Sequence, residues 1–306
     1  MKLNRLWNDI KKYKILLLML VPAVLFFLLF AYVPMAGIVL AFKQYNYTGG
    51  VFGSPWNGLD NFRFFFESGD AWRVTRNTGL YNLAFIIVNN ALQIFAAILL
   101  FEAAGPWFRK LTQTVMFLPY FISWVVVGAI AYNLFNYDYG TINVLLGAIG
   151  LEPLDIYNTA SYWPLILIVV SAWKALGYGT IMYLAAITSI DTEMYEAAEI
   201  DGANVFQRIR RITIPNLYPT AIILMLLAVG NIFRGDFGMF YNMVGNNGLL
   251  FSSTDVIDTF VFRSLTTSNE IGMSAAAGFY QSILGFATIM LANYAVRRYD
   301  PDRALF

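Results

Sequence analysis

The chain has no cysteine and no histidine. Without cysteine there is neither a disulfide framework nor thiolate chemistry. Without histidine the usual general base and the commonest metal ligand are missing, so no His-based zinc site and no Ser-His-Asp triad can be assembled. Charge is scarce as well: Asp, Glu, Lys and Arg make up 13% of the 306 residues, against roughly 25% in soluble domains. A net charge of +1 gives no electrostatic case for nucleic acid as a partner. No G-x-x-x-x-G-K-[ST] segment occurs, so the chain carries no phosphate-cradling loop of that type. These absences weigh against an enzyme, and no metal site is expected.

What is abundant is apolar. Hydrophobic residues reach 58%, with 26 Phe and 19 Tyr. A membrane helix needs about 20 mostly apolar residues. Six stretches qualify: 15–42, 78–104, 112–135, 163–187, 217–233 and 274–296. Backbone in lipid satisfies its own hydrogen bonds as helix. The expected fold is therefore all-α and polytopic, with six transmembrane helices. Pro22 and Pro34 predict a kink or an interfacial end in the first of them. Residues 1–14 place Leu3, Leu6, Trp7 and Ile10 at helical spacing among basic residues, which reads as a cytoplasmic amphipathic segment. The transmembrane domain then covers 15–306.

Basic residues set orientation. With the N-terminus inside, the inner segments hold Lys2, Arg5, Lys11, Lys12, Lys14, Arg109, Lys110, Arg208, Arg210, Arg211, Arg297, Arg298 and Arg303. The outer segments hold Lys43, Arg63, Arg73, Arg76, Arg234 and Arg263. The inner set is about twice the outer, so both termini are expected in the cytoplasm. The same orientation puts 188–216 there.

That loop contains "YEAAEIDGANVFQRIRRITIP" from Tyr195 to Pro215. Asp191 or Thr192 can cap a helix there, with Glu193 at the positive end of its dipole. Ala197 and Ala198 allow close approach of another surface, and Gly202 suits a helix-ending turn. A second helical piece follows, with Val205, Phe206, Ile209 and Ile212 on one side, and Pro215 stops it. Taken alone, the segment also fits an ordinary amphipathic hairpin on the headgroups.

The spacing is more specific. Glu196-Ala197-Ala198, three residues, Gly202, nine residues, Ile212, one residue, Ile214-Pro215 resembles the EAA signature of binding-protein-dependent ABC importer permeases. Ile214 stands where that family usually has leucine. "WNGLDNFRFFFESG" at 56–69 and "RNTGLYN" at 76–82 look like the outer loop and second-span start of sugar importer permeases. "YVPMAGIVLAFKQYN" at 32–46 is similar to the first span of LplB-like polysaccharide permeases.

The resemblance implies the type I ABC importer permease fold and a place in the bacterial cytoplasmic membrane. It makes the loop at about 188–216 a coupling loop for a separate ATPase, with Glu196, Ala197, Ala198, Asp201, Gly202, Ala203, Ile212 and Pro215 as its signature positions. It also implies the partners: two ATPase copies, a second and different permease subunit, and an extracytoplasmic sugar-binding protein. The substrate would be an oligosaccharide or polysaccharide fragment. ATP and Mg would sit on the ATPases, leaving no cofactor in this chain.

In family members with a sugar site in the pore, the helix regions flanking the loop line the pathway. The matching positions are Trp173, Tyr178, Asn231 and Arg234, with Lys174 beside them. Trp173 and Tyr178 fit packing equally well, and Arg234 fits a pair with Asp236. Two cations near the path would suit an acidic saccharide. Asn89, Asn90 and Gln93 either bond a neighbouring helix or face the pore. Glu102 reads as a solvated end residue. The competing function is a secondary transporter driven by an ion gradient, which wants buried mid-span carboxylates; the spans show almost none.

Overall fold

The computed structural model describes residues 12–103 and 105–299. The basic residues Lys2, Arg5, Lys11 and Arg303, and the amphipathic positions Leu3, Leu6, Trp7 and Ile10, lie outside the described residues. Among the described residues the only strand-like pairing is the single bridge between Lys43 and Trp56. Everything else is helix, turn or loop.

Helix α1 runs Lys14–Phe42. It passes through Pro22 without a break. It then widens into a π-helical turn at Leu28–Tyr32 and tightens into 3₁₀ helix at Val33–Phe42. The expected kink is thus a change of pitch, because the wide turn precedes Pro34 and relieves its ring. Most of α1 is exposed along its length.

A short helix, α2 (Asp60–Glu67), precedes the longest one, α3 (Asp70–Ala103). Next come α4 (Pro106–Phe121) and α5 (Trp124–Phe135). These two were expected as one span over 112–135. They are bent at 93° to each other. Pro119 sits in the last turn of α4, and the Ser123 hydroxyl caps α5 by accepting from the Val126 N–H. Six spans are reached only if this pair is taken as one.

After α6 (Thr141–Ala148) comes α7 (Trp163–Thr188), then α8 (Thr192–Ile200). Helix α9 is continuous over Val205–Val229. The expected stop at Pro215 is absent. A π-helical turn at Ile209–Thr213 lies just ahead of the proline, and its wider pitch accommodates the ring where a regular helix would clash. Helices α10 (Phe237–Val244), α11 (Ile257–Thr266) and α12 (Ile271–Tyr299) complete the chain.

Helix pairs in lipid are held by close packing and interhelical hydrogen bonds rather than by the hydrophobic effect. Helices α3, α7 and α9 share a buried cluster of Ala97, Tyr183, Ile187 and Leu217. At the α4–α7 crossing a Cβ on Gly177 would lie 2.2 Å from the Met116 carbonyl oxygen, so only glycine permits that approach. At the other end of α3, Phe65, Val74, Ile257, Phe260 and Ala277 form a second cluster. Beside it the Asp255 carboxylate, fully buried, takes Arg263 Nη1 and Nη2 at 2.9 and 2.7 Å and Arg73 Nη2 at 2.9 Å. Asn77 Nδ2 donates to the Asp255 carbonyl at 3.0 Å, and the Ile257 N–H donates to Thr78 Oγ1 at 2.9 Å.

Candidate functional site

The segment between α7 and α9 is built by three successive caps. The Asp191 carboxylate accepts from the Glu193 N–H at 3.0 Å and starts α8. At its far end the Gly202 N–H donates to the Glu199 carbonyl at 3.0 Å and the Ala203 N–H to the Ala198 carbonyl at 2.9 Å. Gly202 itself has φ +77°, the left-handed conformation that this helix ending requires. Asn204 and Gln207 then exchange side-chain-to-backbone bonds of 2.8 and 3.0 Å and begin α9. The result is a helix, an elbow at Gly202 and a second helix.

Of the signature positions, Glu196, Ala197, Asp201, Gly202 and Pro215 are exposed, Ala198 and Ala203 are half-buried, and Ile212 is buried. Val205, Phe206, Ile209 and Ile212 do not share one side as expected. Ile212 is buried and Ile209 packs on the α3–α7–α9 cluster, whereas Phe206 is 83% exposed. The π-helical turn that begins at Ile209 shifts the register between the two pairs. Ile200, on the other side of the elbow, is 86% exposed. In the sequence nothing separates Ile200 and Phe206 from inward-facing apolar residues, and Phe206 groups there with Ile209 and Ile212. Flanking the glycine, they give the elbow two bare apolar tips.

The segment is tied inward by residues the sequence reading had not joined. Tyr195 Oη bonds Thr213 Oγ1 at 3.0 Å, and its ring lies 5.5 Å from that of Phe101. Burial pushes the Tyr195 phenol up from its ordinary pKa. Arg208 meets Glu102 at 3.5 Å and also pairs with Glu199. Glu102 is thus not a solvated end residue: its side chain is only 14% exposed.

Further along the helices, α3, α7 and α9 border an open cavity of about 340 Å³. Tyr178, Asn231 and Arg234 line it; Trp173 and Lys174 do not. Asn231 and Arg234 reach it from a turn, because α9 ends at Gly230. Asn89, Asn90 and Gln93 line it from α3. The same amides bond α7: Asn89 Nδ2 to Ser171 Oγ at 3.3 Å, Gln93 Nε2 to the Ala175 carbonyl at 3.1 Å, and Tyr183 Oη to Asn90 Oδ1 at 2.7 Å. These residues thus bond a neighbouring helix and also border the cavity.

The two cations differ. Lys174 Nζ donates to the Pro119 and Tyr120 carbonyls at 3.1 and 3.0 Å and to that of Ile122. It closes the broken end of α4, in a helix-ending role the sequence did not reveal. Arg234 has no hydrogen bond or ion pair from its guanidinium to any described residue. It also lines a second cavity of about 550 Å³ with Asn231, Asp258 and Gln281. There the Asp258 carboxylate accepts from the Gly235 N–H at 2.6 Å and Gln281 Nε2 at 2.8 Å. Burial holds the Asp258 carboxyl above the usual carboxylate range, against the lowering effect of these bonds and of Arg234. Asp236, the alternative partner for Arg234, instead caps α10 through the Met239 N–H.

Comparison with known proteins bears on this arrangement. A family model described as "Binding-protein-dependent transport system inner membrane component" matches residues 90–301. Protein LplB of Bacillus subtilis strain 168 is 34% identical over 293 residues, covering 96% of this chain and 92% of its own. The polygalacturonan/rhamnogalacturonan transport system permease protein YteP of the same organism is 32% identical over 301 residues, covering 98% and 93%. Among solved structures, a bacterial ABC transporter involved in the import of the acidic polysaccharide alginate superposes with a TM-score of 0.88 at 32% identity, over 97% of this chain and 99% of the other.

Proposed function

The chain belongs to the family of binding-protein-dependent transport system inner membrane components, and from that premise we propose that it carries an acidic oligosaccharide or polysaccharide fragment inward, driven through its Gly202 elbow. As a member it is a transmembrane permease subunit of an ABC importer and a multi-pass inner-membrane protein. The alternative of a secondary transporter driven by an ion gradient has no support among the matched proteins.

For the substrate, the observation that carries the reading is Arg234. Arg234 lines both cavities, and its guanidinium has no ion-pair partner among the described residues. A carboxylate entering low-dielectric surroundings needs such a partner, and the surrounding amides and Tyr178 suit sugar hydroxyls and ring faces. Relatives named for polygalacturonan and alginate handling agree with this choice. For the drive, the support is the pair of bare tips at Ile200 and Phe206, which fit an apolar cleft on a separate ATPase. Two ATPase copies, a second and different permease subunit and an external sugar-binding protein complete the assembly. Both termini and the elbow then face the cytoplasm.

The test is uptake by the reconstituted transporter. Wild type takes up uronate oligosaccharides faster than neutral ones of equal length. Hydrogen bonds to charged groups contribute about 1.5–3 kcal/mol, so Arg234→Gln lowers uronate uptake at least about tenfold and neutral uptake little. Equal wild-type rates for the two sugars remove the acidic assignment. Separately, Phe206→Asp with Ile200→Asp releases the ATPase during purification; retention of the ATPase removes the docking assignment.

A further inference from the structure

The elbow segment is joined to α3, which is not one of the helices it connects in sequence. We propose that the Glu102–Arg208 pair is a positioning link through which movement of the elbow reaches the α3 wall of the cavity. This rests on the elbow's being the element that receives the ATPase.

Three observations carry it. Glu102 and Arg208 come from segments 106 residues apart, and both side chains are only 14% exposed. The neighbouring Phe101 takes the Tyr195 ring of α8, so two adjacent residues at the end of α3 grip the two sides of the elbow. Helix α3 then carries Asn89, Asn90 and Gln93 along the cavity and bonds α7 through each of them. At its far end α3 is held by Arg73 on the buried Asp255 carboxylate.

A helix is stiff along its axis, so a strut fixed at both ends transmits a push where a loop would absorb it. The present contact uses one oxygen and one nitrogen. Glu102 Oε1 and Arg208 Nε are buried without partners and would close a two-point fork if the segments approached. Glu199 also pairs with Arg208, but its side chain is 62% exposed, and exposed pairs contribute little.

The test uses the complete transporter in proteoliposomes and reads sugar transported per ATP hydrolysed, with ATPase copurification and thermal midpoint as companion measurements. Glu102→Gln keeps the ATPase bound and hydrolysing, and its transport per ATP falls about tenfold, within the range usual for site-to-site coupling. Glu199→Gln stays within about twofold of wild type. Because the chain has no cysteine, the Glu102→Cys/Arg208→Cys double variant can be bridged in place by a bifunctional thiol reagent. Unbridged it is uncoupled, and bridged it recovers.

The link is overturned if Glu102→Gln keeps the wild-type ratio while only its thermal midpoint falls. It is equally overturned if Glu199→Gln drops as far, or if the bridged variant stays uncoupled. Loss of the ATPase from Glu102→Gln would make Glu102 part of the docking surface and also overturns it. Failure of the docking reading shows instead as ATPase retention by the Ile200 and Phe206 variants, which leaves the two failures separable.

Discussion

Replacing Asp255 by Asn removes the charge at the Arg73 end of α3 while keeping side-chain size. The carboxylate has no exposed surface and accepts from Arg263 twice, from Arg73 once and from Thr259 Oγ1 at 3.0 Å. The consequences for the two arginines differ. Arg73 keeps Asp70 at 2.6 Å and is 33% exposed. Arg263 is 17% exposed, loses the opposite charge and one of its two acceptor oxygens, and lies over the Phe251 ring at 4.0 Å. Stranding one partner of a buried pair costs about 3–5 kcal/mol. Some water reaches Arg263, so the lower end applies. The Arg63–Glu67 pair has side chains 70% and 65% exposed and sets the comparison at about 0–1 kcal/mol.

Unfolding midpoints in lipid nanodiscs then fall clearly for Asp255→Asn and barely for Glu67→Gln. A double-mutant cycle with Arg263→Met isolates the pair. Contacting partners deviate from additivity, so removal of both costs less than the sum of the two single changes. The reasoning is refuted if Asp255→Asn shifts the midpoint no more than Glu67→Gln. Full additivity with Arg263→Met refutes it equally.

Gly202→Val forces a β-branched residue into φ +77°, where left-handed backbone alone costs about 1–2 kcal/mol per L residue; the protein still inserts, but transport is lost and ATP hydrolysis runs on uncoupled, as measured by paired uptake and phosphate release. Lys174→Met leaves the carbonyls at the end of α4 without their shared donor, at about 1–3 kcal/mol, whereas Lys174→Arg retains most of the wild-type unfolding midpoint. Asp258 has a raised folded pKa, so the folded state binds a proton more readily than the unfolded chain. Stability is therefore greatest below the unfolded pKa and declines as pH rises through the window up to the folded one; Asp258→Asn flattens that slope in a series of unfolding midpoints against pH.

The apolar lengths made the helical membrane architecture readable, because each span must satisfy its own backbone and so announces itself by length. The elbow was readable for a different reason: a cap residue and a glycine in left-handed conformation are local devices, and Asp191 and Gly202 act within a few residues of themselves, although the equally local Asn204–Gln207 exchange was not picked out. What stayed hidden depends on neighbours distant in sequence. Glu102 looked solvated because Arg208 lies far along the chain. The π-helical turn ahead of Pro215 hid the continuity of α9, since proline ordinarily marks a stop.

The third span shows how such an omission spreads. Its halves are each apolar, so composition cannot report the 93° bend between them. A broken helix end leaves carbonyls without partners, and in lipid those must be met from elsewhere. The Lys174 ammonium meets them across from α7. Once Lys174 is spent on the break, the two-cation argument for an acidic substrate loses one of its members. What remains is Arg234, which stands beyond the end of α9, has no ion-pair partner among the described residues and lines both cavities. The charge argument is thereby narrower but better placed: it rests on a single guanidinium bordered by Asn231 and Asp258, where a substrate carboxylate would compete with the buried acid for the same cation.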